Sequence, residues 1–159
     1  MARNAYDFYP TPSWCYEKLP IDWSLFESSY EPCEGDGRIT SFLSEKGLIA
    51  EGSDLQTGTD YLTLGNIQVD LILTNPPFSL AQEFITKSLQ EANTVIMLLR
   101  LNFLGAQKRY TFWRDNPPTS LFILSKRPSF TGSGTDSTEY AWFVWDKTTR
   151  ISKGIHHVI

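Results

Sequence analysis

Apolar residues fall along the chain in two rhythms: short continuous runs, and stretches in which they recur every three or four positions. Residues 27–32 read as a strand leading into the glycine turn EGDG. Ile39, Phe42 and Leu43 then repeat at helical spacing, with Gly47 as a stop. A second short strand covers 48–54. DLILT, ended by two prolines, has the continuous apolar character of a parallel strand buried on both faces. Leu80, Phe84, Ile85 and Leu89 mark a one-faced helix over 80–92, and 94–101 is another buried strand. Residues 103–116 read as a helix, and 120–125 and 140–146 as strands, with the polar, glycine-rich KRPSFTGSGTDST between the two strands. On the last of these strands Tyr140 and Trp142 alternate with Phe143 and Trp145, so large apolar groups load both faces. Strands alternating with helices predict an α/β sheet flanked by helices. With no repeat or linker in 159 residues, one domain over 1–159 is expected.

Composition narrows the function classes. No apolar run approaches the roughly 20 residues that span a bilayer, and MARNAYDFYP resembles neither a secretory signal nor a transit peptide, so a cytoplasmic protein is expected. Cys15 and Cys33 lack the paired spacing of a zinc site or a disulfide framework, and no metal is expected. The net charge of −4 has the wrong sign for bulk attraction to nucleic acid. A local patch would have to serve, drawn from Arg100, Lys108, Arg109, Arg114, Lys126 and Arg127, all in the second half of the chain.

Two constellations carry chemistry. In EPCEGDGR, Gly35 and Gly37 sit where a strand turns into a helix, and glycine there permits positive φ and close approach of a ligand to the backbone. Asp54 lies 19 residues beyond Gly35, near the roughly 20-residue spacing of a ribose-binding acid in nucleotide folds. Glu51 competes for that role. Asp60 and Tyr61 would suit an adenine, the carboxylate accepting from its amino group and the ring packing on its face. The second constellation, Asn75-Pro76-Pro77-Phe78, follows the DLILT strand directly. The Asn75 side-chain carbonyl and the Pro76 main-chain carbonyl could accept from a target amine, the prolines would hold these acceptors in place, and Phe78 offers a face for a flipped-out base. A second copy, Asn116-Pro117-Pro118, is followed by Thr119 and reads as a helix stop.

With these residues assembled, the chain resembles the amino-methyltransferases of DNA, and most closely the small N6-adenine methyltransferases of phages and mobile elements. YPTP at 9–12 resembles the N-terminal cofactor motif, EPCEGDG the first glycine motif, SDL at 53–55 the ribose acid, DYL at 60–62 the adenine-holding motif, and NPPF the catalytic motif. LLRLNFL at 98–104 and the segment 127–146 resemble later parts of the phage branch. The resemblance implies a Rossmann-like class I methyltransferase fold: a mostly parallel sheet with a reversed final strand and helices on both faces. It assigns Asn75, Pro76, Pro77 and Phe78 to the target base. Tyr9, Pro10, Thr11, Pro12, Glu31, Pro32, Gly35, Gly37, Asp54, Asp60 and Tyr61 go with Asn75 to S-adenosylmethionine. Arg127, Phe130 and the loop to Asp136 go to the substrate. Three departures stand out: asparagine where an aspartate could begin the catalytic motif, no room for a separate target-recognition domain, and the acidic balance.

The implied reaction is direct transfer of a methyl from S-adenosylmethionine to an exocyclic base amine, first of all N6 of adenine in DNA, in a bacterial or phage-infected cell. RNA, cytosine N4 and a protein glutamine amide suit the same motif, and a non-catalytic methyltransferase-like subunit is the rival from another class. A homodimer would supply further DNA surface. His156 and His157 read as surface residues of the tail, and Phe130 as an exposed ring for contact with DNA.

Overall fold

The computed structural model describes residues 10–131 and 134–158. Seven strands form one sheet: β1 (Ser28–Glu31), β2 (Ile49–Gly52), β3 (Val69–Thr74), β4 (Ala92–Arg100), β5 (Ser120–Leu124), β6 (Tyr140–Asp146) and β7 (Gly154–Val158), in the order β2-β1-β3-β4-β6-β5-β7. β6 runs antiparallel to both its neighbours, β4 and β5, and the other pairings are parallel. The reversed strand expected from the resemblance is therefore β6, and one parallel edge strand, β7, follows it. His156 and His157 lie in β7, where His156 stacks on Phe122 with centroids 4.7 Å apart and His157 is exposed.

Helices cover both faces of the sheet. α1 (Ser13–Glu17) and α2 (Arg38–Glu45) pack with Leu71, Leu73, Ile96, Leu98, Trp142 and Val144. α3 (Ala81–Glu91) and α4 (Tyr110–Asp115) pack with Ile72, Val95, Met97, Ala141 and Phe143 on the opposite face. Alternate residues of β3, β4 and β6 thus enter different cores, which is why these strands read as unbroken apolar runs. Trp142 Nε1 donates to the Cys15 carbonyl at 2.8 Å and pins α1 to the sheet. Burial pushes the Cys15 thiol up to about 12. Among the described residues no helix is long and apolar enough to cross a membrane.

The expected helix over 103–116 is shorter and broken. A 3-10 turn at Leu101–Leu104 and another at Gln107–Arg109 precede α4, and between them Ala106 takes φ 81°, which no α-helix accommodates.

The amino ends of β3 and β4 are joined to the segment after β6 by one ion pair. Arg150 donates to both Asp70 oxygens, at 2.7 and 2.9 Å, while its guanidinium lies 4.1 Å from the Phe26 ring centroid. Asn93 and the Glu27 N–H also donate to Asp70. The Arg150 hydrogen bonds hold the Asp70 carboxyl down at about 2, below its ordinary 3.8. A depressed folded value contributes stability that is present above 3.8 and is lost as pH falls toward 2. Asp70→Asn should cost about 2 kcal/mol at pH 7, and roughly half of that at pH 3, measured by urea unfolding.

Candidate functional site

In an open parallel sheet, the crevice for a ligand lies at the carboxyl ends of the strands, where the chain switches direction across the sheet. Here β1 lies between β2 and β3, so the switch point falls between β1 and β3. Both constellations named from the sequence meet there.

The carboxyl ends of β1 and β3 are tied by side chains. Glu31, 3% exposed, accepts from the Thr74 hydroxyl and from the Cys33 N–H at 2.8 Å. Burial pushes its carboxyl up to about 8, only partly countered by these hydrogen bonds. Pro32 is buried beside it. The glycine turn follows, with Gly35 at φ 55° and Gly37 at φ 82°, conformations that glycine adopts freely. Gly35 N–H donates to Asp54 Oδ2 at 2.9 Å, and Gln56 N–H to Asp54 Oδ1 at 2.8 Å. Asp54 therefore staples the glycine turn to the loop after β2. Glu51 is exposed on β2 and makes no such link. Gly52 is a tight point that the sequence did not flag: a Cβ there would sit 2.9 Å from the Glu31 carbonyl oxygen and 1.9 Å from Glu34 Oε2.

Asn75 follows β3 directly and is 3% exposed. Its Nδ2 donates to Thr11 Oγ1 at 3.1 Å, and Arg38 donates to the Thr11 carbonyl at 3.3 Å. The Pro10–Pro12 segment is thereby held against the catalytic candidate. Tyr9 lies outside the described residues. The Asn75 carbonyl oxygen, Oδ1, is buried with no hydrogen-bond partner among the described residues. Such an orphan is costly, because a desolvated acceptor has lost its water and gained nothing in exchange. Pro76 and Pro77 are also buried, and the Pro77 carbonyl accepts from Leu80 N–H at 3.0 Å, which turns the chain into α3.

A cleft beside this point is lined by Pro32, Cys33, Asp54, Leu55, Asp60 and Leu80, among others. Asp60 Oδ1 accepts from Leu62 N–H at 3.1 Å, and its second oxygen has no partner among the described residues. Tyr61 lines the same cleft, but its ring is 1% exposed and stacks on Tyr30 and Phe84, and its hydroxyl hydrogen-bonds with buried Glu91 and Ser88, so most of the ring belongs to the core. The cleft itself is narrow, about 30 Å³, room for roughly one water molecule.

Phe78 is half-buried on the other side of Asn75. The Arg100 guanidinium lies 4.7 Å from its ring centroid, and Tyr140 is 5.7 Å away by centroids. Arg100 Nε donates to the Tyr140 hydroxyl at 3.2 Å, Tyr140 donates to Asp136, and Arg100 pairs with Asp136 at 3.6 Å. Burial pushes the Tyr140 hydroxyl pKa above its ordinary value. Sequence reasoning named Asp136 and Phe78 but missed Arg100 and Tyr140 as their partners. The available signal was a charged residue closing an otherwise apolar strand. Phe130, expected to be exposed, is half-buried with its ring edge on Tyr140 at 5.2 Å, so it anchors the loop to the core. Arg127, expected at the substrate, forms an exposed pair with Glu139 at 2.8 Å that closes the neck of the same loop.

No family model matches the chain, and no curated protein matches it. Solved structures do. A proposed RNA methyltransferase from Pyrococcus horikoshii superposes with TM-score 0.68 at 13% identity, over 92% of this chain and 92% of that one. A proposed class I S-adenosylmethionine-dependent methyltransferase from Listeria monocytogenes gives 0.55 at 15% identity, over 82% of this chain and 57% of that one. The methyltransferase subunit of a type I restriction-modification system from Streptococcus thermophilus gives 0.60 at 12% identity, over 91% and 46%. The chain thus spans about half the length of the latter two. At these identities the likeness is one of fold.

Glu31 makes the site pH-sensitive in a direction unusual for a carboxylate. Its folded value of about 8 lies above the ordinary 4.5, so its contribution to stability is fully present below 4.5 and is lost as pH rises through 8. The urea midpoint of the native protein should fall from pH 5 to pH 8, and Glu31→Gln, which keeps an acceptor for Thr74 and Cys33, should remove most of that slope.

Proposed function

We propose that this protein transfers a methyl group from S-adenosylmethionine to an exocyclic amine of a nucleic-acid base, with N6 of adenine in DNA as the first choice. One observation carries the reading: the Asn75 carbonyl oxygen, at the carboxyl end of β3, is buried and without a partner among the described residues. A buried acceptor kept vacant at a ligand crevice suits a substrate that brings its own N–H.

The residues at the crevice fit the cofactor. Asp60 has a carboxylate oxygen available for an adenine amino group, Leu55 and Leu80 supply apolar walls, and the positive-φ glycines bring backbone close to a ligand. Asp54 would take the ribose while remaining the staple of the glycine turn, since each carboxylate oxygen can accept more than one hydrogen bond. When bound, S-adenosylmethionine supplies an electrophilic methyl carbon. The chain's own part is to hold the acceptor amine. Asn75 Oδ1 accepts one of its hydrogens, which draws the nitrogen lone pair out of conjugation with the ring. Thr11 keeps the Asn75 amide in the required orientation by accepting from Nδ2. Phe78, steadied by Arg100 and Tyr140, packs the target base. Asn75 carries no charge, so it stabilises the developing ammonium as a dipole only.

RNA is the second reading of the substrate. The likeness to a proposed RNA methyltransferase over 92% of both chains favours it.

The test is to incubate the protein with isotopically labelled S-adenosylmethionine and unmethylated DNA or RNA, digest to nucleosides and identify the labelled species by mass spectrometry. Labelled N6-methyladenosine from DNA is the expected product. Asn75→Ala should lower kcat by on the order of 10²–10³, the usual cost of one preorganised transition-state hydrogen bond, while cofactor affinity changes only a few-fold. Label in RNA alone would move the substrate, and no cofactor binding would sink the reading altogether.

A further inference from the structure

The segment after β4 departs in charge and exposure from the rest of the protein. Residues 101–114, LNFLGAQKRYTFWR, contain Lys108, Arg109 and Arg114 and no acid, in a chain whose net charge is −4. Arg38, Arg100, Arg114, Arg127 and Arg150 each pair with a carboxylate. Arg109 has no carboxylate partner among the described residues. Its guanidinium lies 4.2 Å from the Phe103 ring centroid instead, an arrangement that leaves its N–H edges for another acceptor. Lys108 beside it is exposed and likewise lacks an acidic partner among the described residues.

Apolar surface accompanies this charge. Tyr110 is 67% exposed and Leu104 is 40% exposed. They border an open cleft of about 570 Å³ whose lining includes Gly105, Ala106, Gln107 and Trp113. Ala106 holds φ 81° and ψ 126°, a backbone conformation that residues with a Cβ rarely adopt. The underlying platform is firm: Trp113 Nε1 donates to the Phe103 carbonyl at 3.0 Å, and the two rings meet edge to face at 5.5 Å. The segment follows directly in the chain on Arg100, the residue over Phe78.

We propose that the segment from Leu104 to Tyr110 is the surface on which a DNA strand lies beside the target base. This rests on the methyl-transfer reading above and adds the docking site that the acidic composition otherwise lacks. Lys108 and Arg109 contact successive phosphates, whose negative charge matches the cations left without acids. Tyr110 offers a ring face to a neighbouring base, and Leu104 its apolar flank.

The experiment is fluorescence anisotropy with a short labelled single-stranded DNA and the corresponding duplex, titrated at several salt concentrations, with S-adenosylmethionine binding measured in parallel by calorimetry. Lys108→Ala combined with Arg109→Ala should weaken DNA binding about tenfold or more at low salt and reduce the salt slope by about 1–2. Tyr110→Ala should weaken binding about five-fold or more and leave the slope unchanged. Cofactor affinity should stay at the native value in both, which also shows that the variants fold. The control, Lys153→Ala beside β7, should bind DNA as the native protein does. Native DNA affinity and slope in the Lys108/Arg109 variant would overturn the docking surface while leaving the methyl-transfer reading intact. An equal loss in Lys153→Ala would also overturn it, because bulk charge would then suffice. If the native protein bound cofactor but neither DNA probe, both the docking surface and the DNA substrate would fall.

Discussion

Three central strands, β3, β4 and β6, are buried on both faces, and the rest of the molecule follows from that constraint. A strand with apolar groups on both sides cannot tolerate water on either, so each face requires a helical layer, supplied by α1 and α2 on one side and by α3 and α4 on the other. Parallel pairing of β1, β3 and β4 then forces every crossover to return over a face, and all three strands deliver their carboxyl ends to the same edge. Polar residues gather at the ends of these strands. At the amino edge they form a closed ion pair, Asp70 with Arg150. At the carboxyl edge they leave Asn75 Oδ1 buried and without a partner among the described residues. This difference between the two edges is the physical basis for locating the site.

The parts legible in the sequence are those that local chemistry decides. β3, β4 and β6 appear as apolar runs because both of their faces are covered, and the glycine turn and NPPF are short segments whose residue types are restricted by backbone geometry. What escaped was decided at long range. β7 contains two histidines, lies at an edge and is defined by its pairing with β5, so GIHHV carries little apolar pattern of its own. Residues 103–116 have helical spacing, yet exposed Ala106, between two 3-10 turns, adopts a positive φ that interrupts the helix. Tyr61 follows an acid that reaches the cleft, but Ser88 and Glu91, some thirty positions further on, draw its hydroxyl into the core. The expected role of Asp54 as a ribose acid now stands beside a role visible in the fold, joining the glycine turn to the loop after β2.

The loop between β5 and β6 shows how residues can sit in a functional region without each touching a substrate. Arg127 and Glu139 close its neck, Asp136 N–H donates to the Pro128 carbonyl, and Phe130 rests edge-on against Tyr140. Through Tyr140 and Arg100 this scaffold bears on Phe78. The loop's sequence is polar and glycine-rich, but its anchor points converge on a single aromatic ring at the carboxyl edge. A change at Asp136 would therefore be felt at Phe78 through intermediates, by altering how the ring is held.

Gly52 sets how closely two parts of the crevice approach. A Cβ there would lie 2.9 Å from the Glu31 carbonyl oxygen and 1.9 Å from Glu34 Oε2, so any other residue would act as a wedge between the end of β2 and the turn after β1. Ser53 bridges this seam by donating to the Glu31 carbonyl and accepting from Glu34 N–H, and Asp54 then reaches Gly35 N–H. The missing side chain is thus a spacer of zero thickness, and it lets Ser53 and Asp54 lace the two loops together.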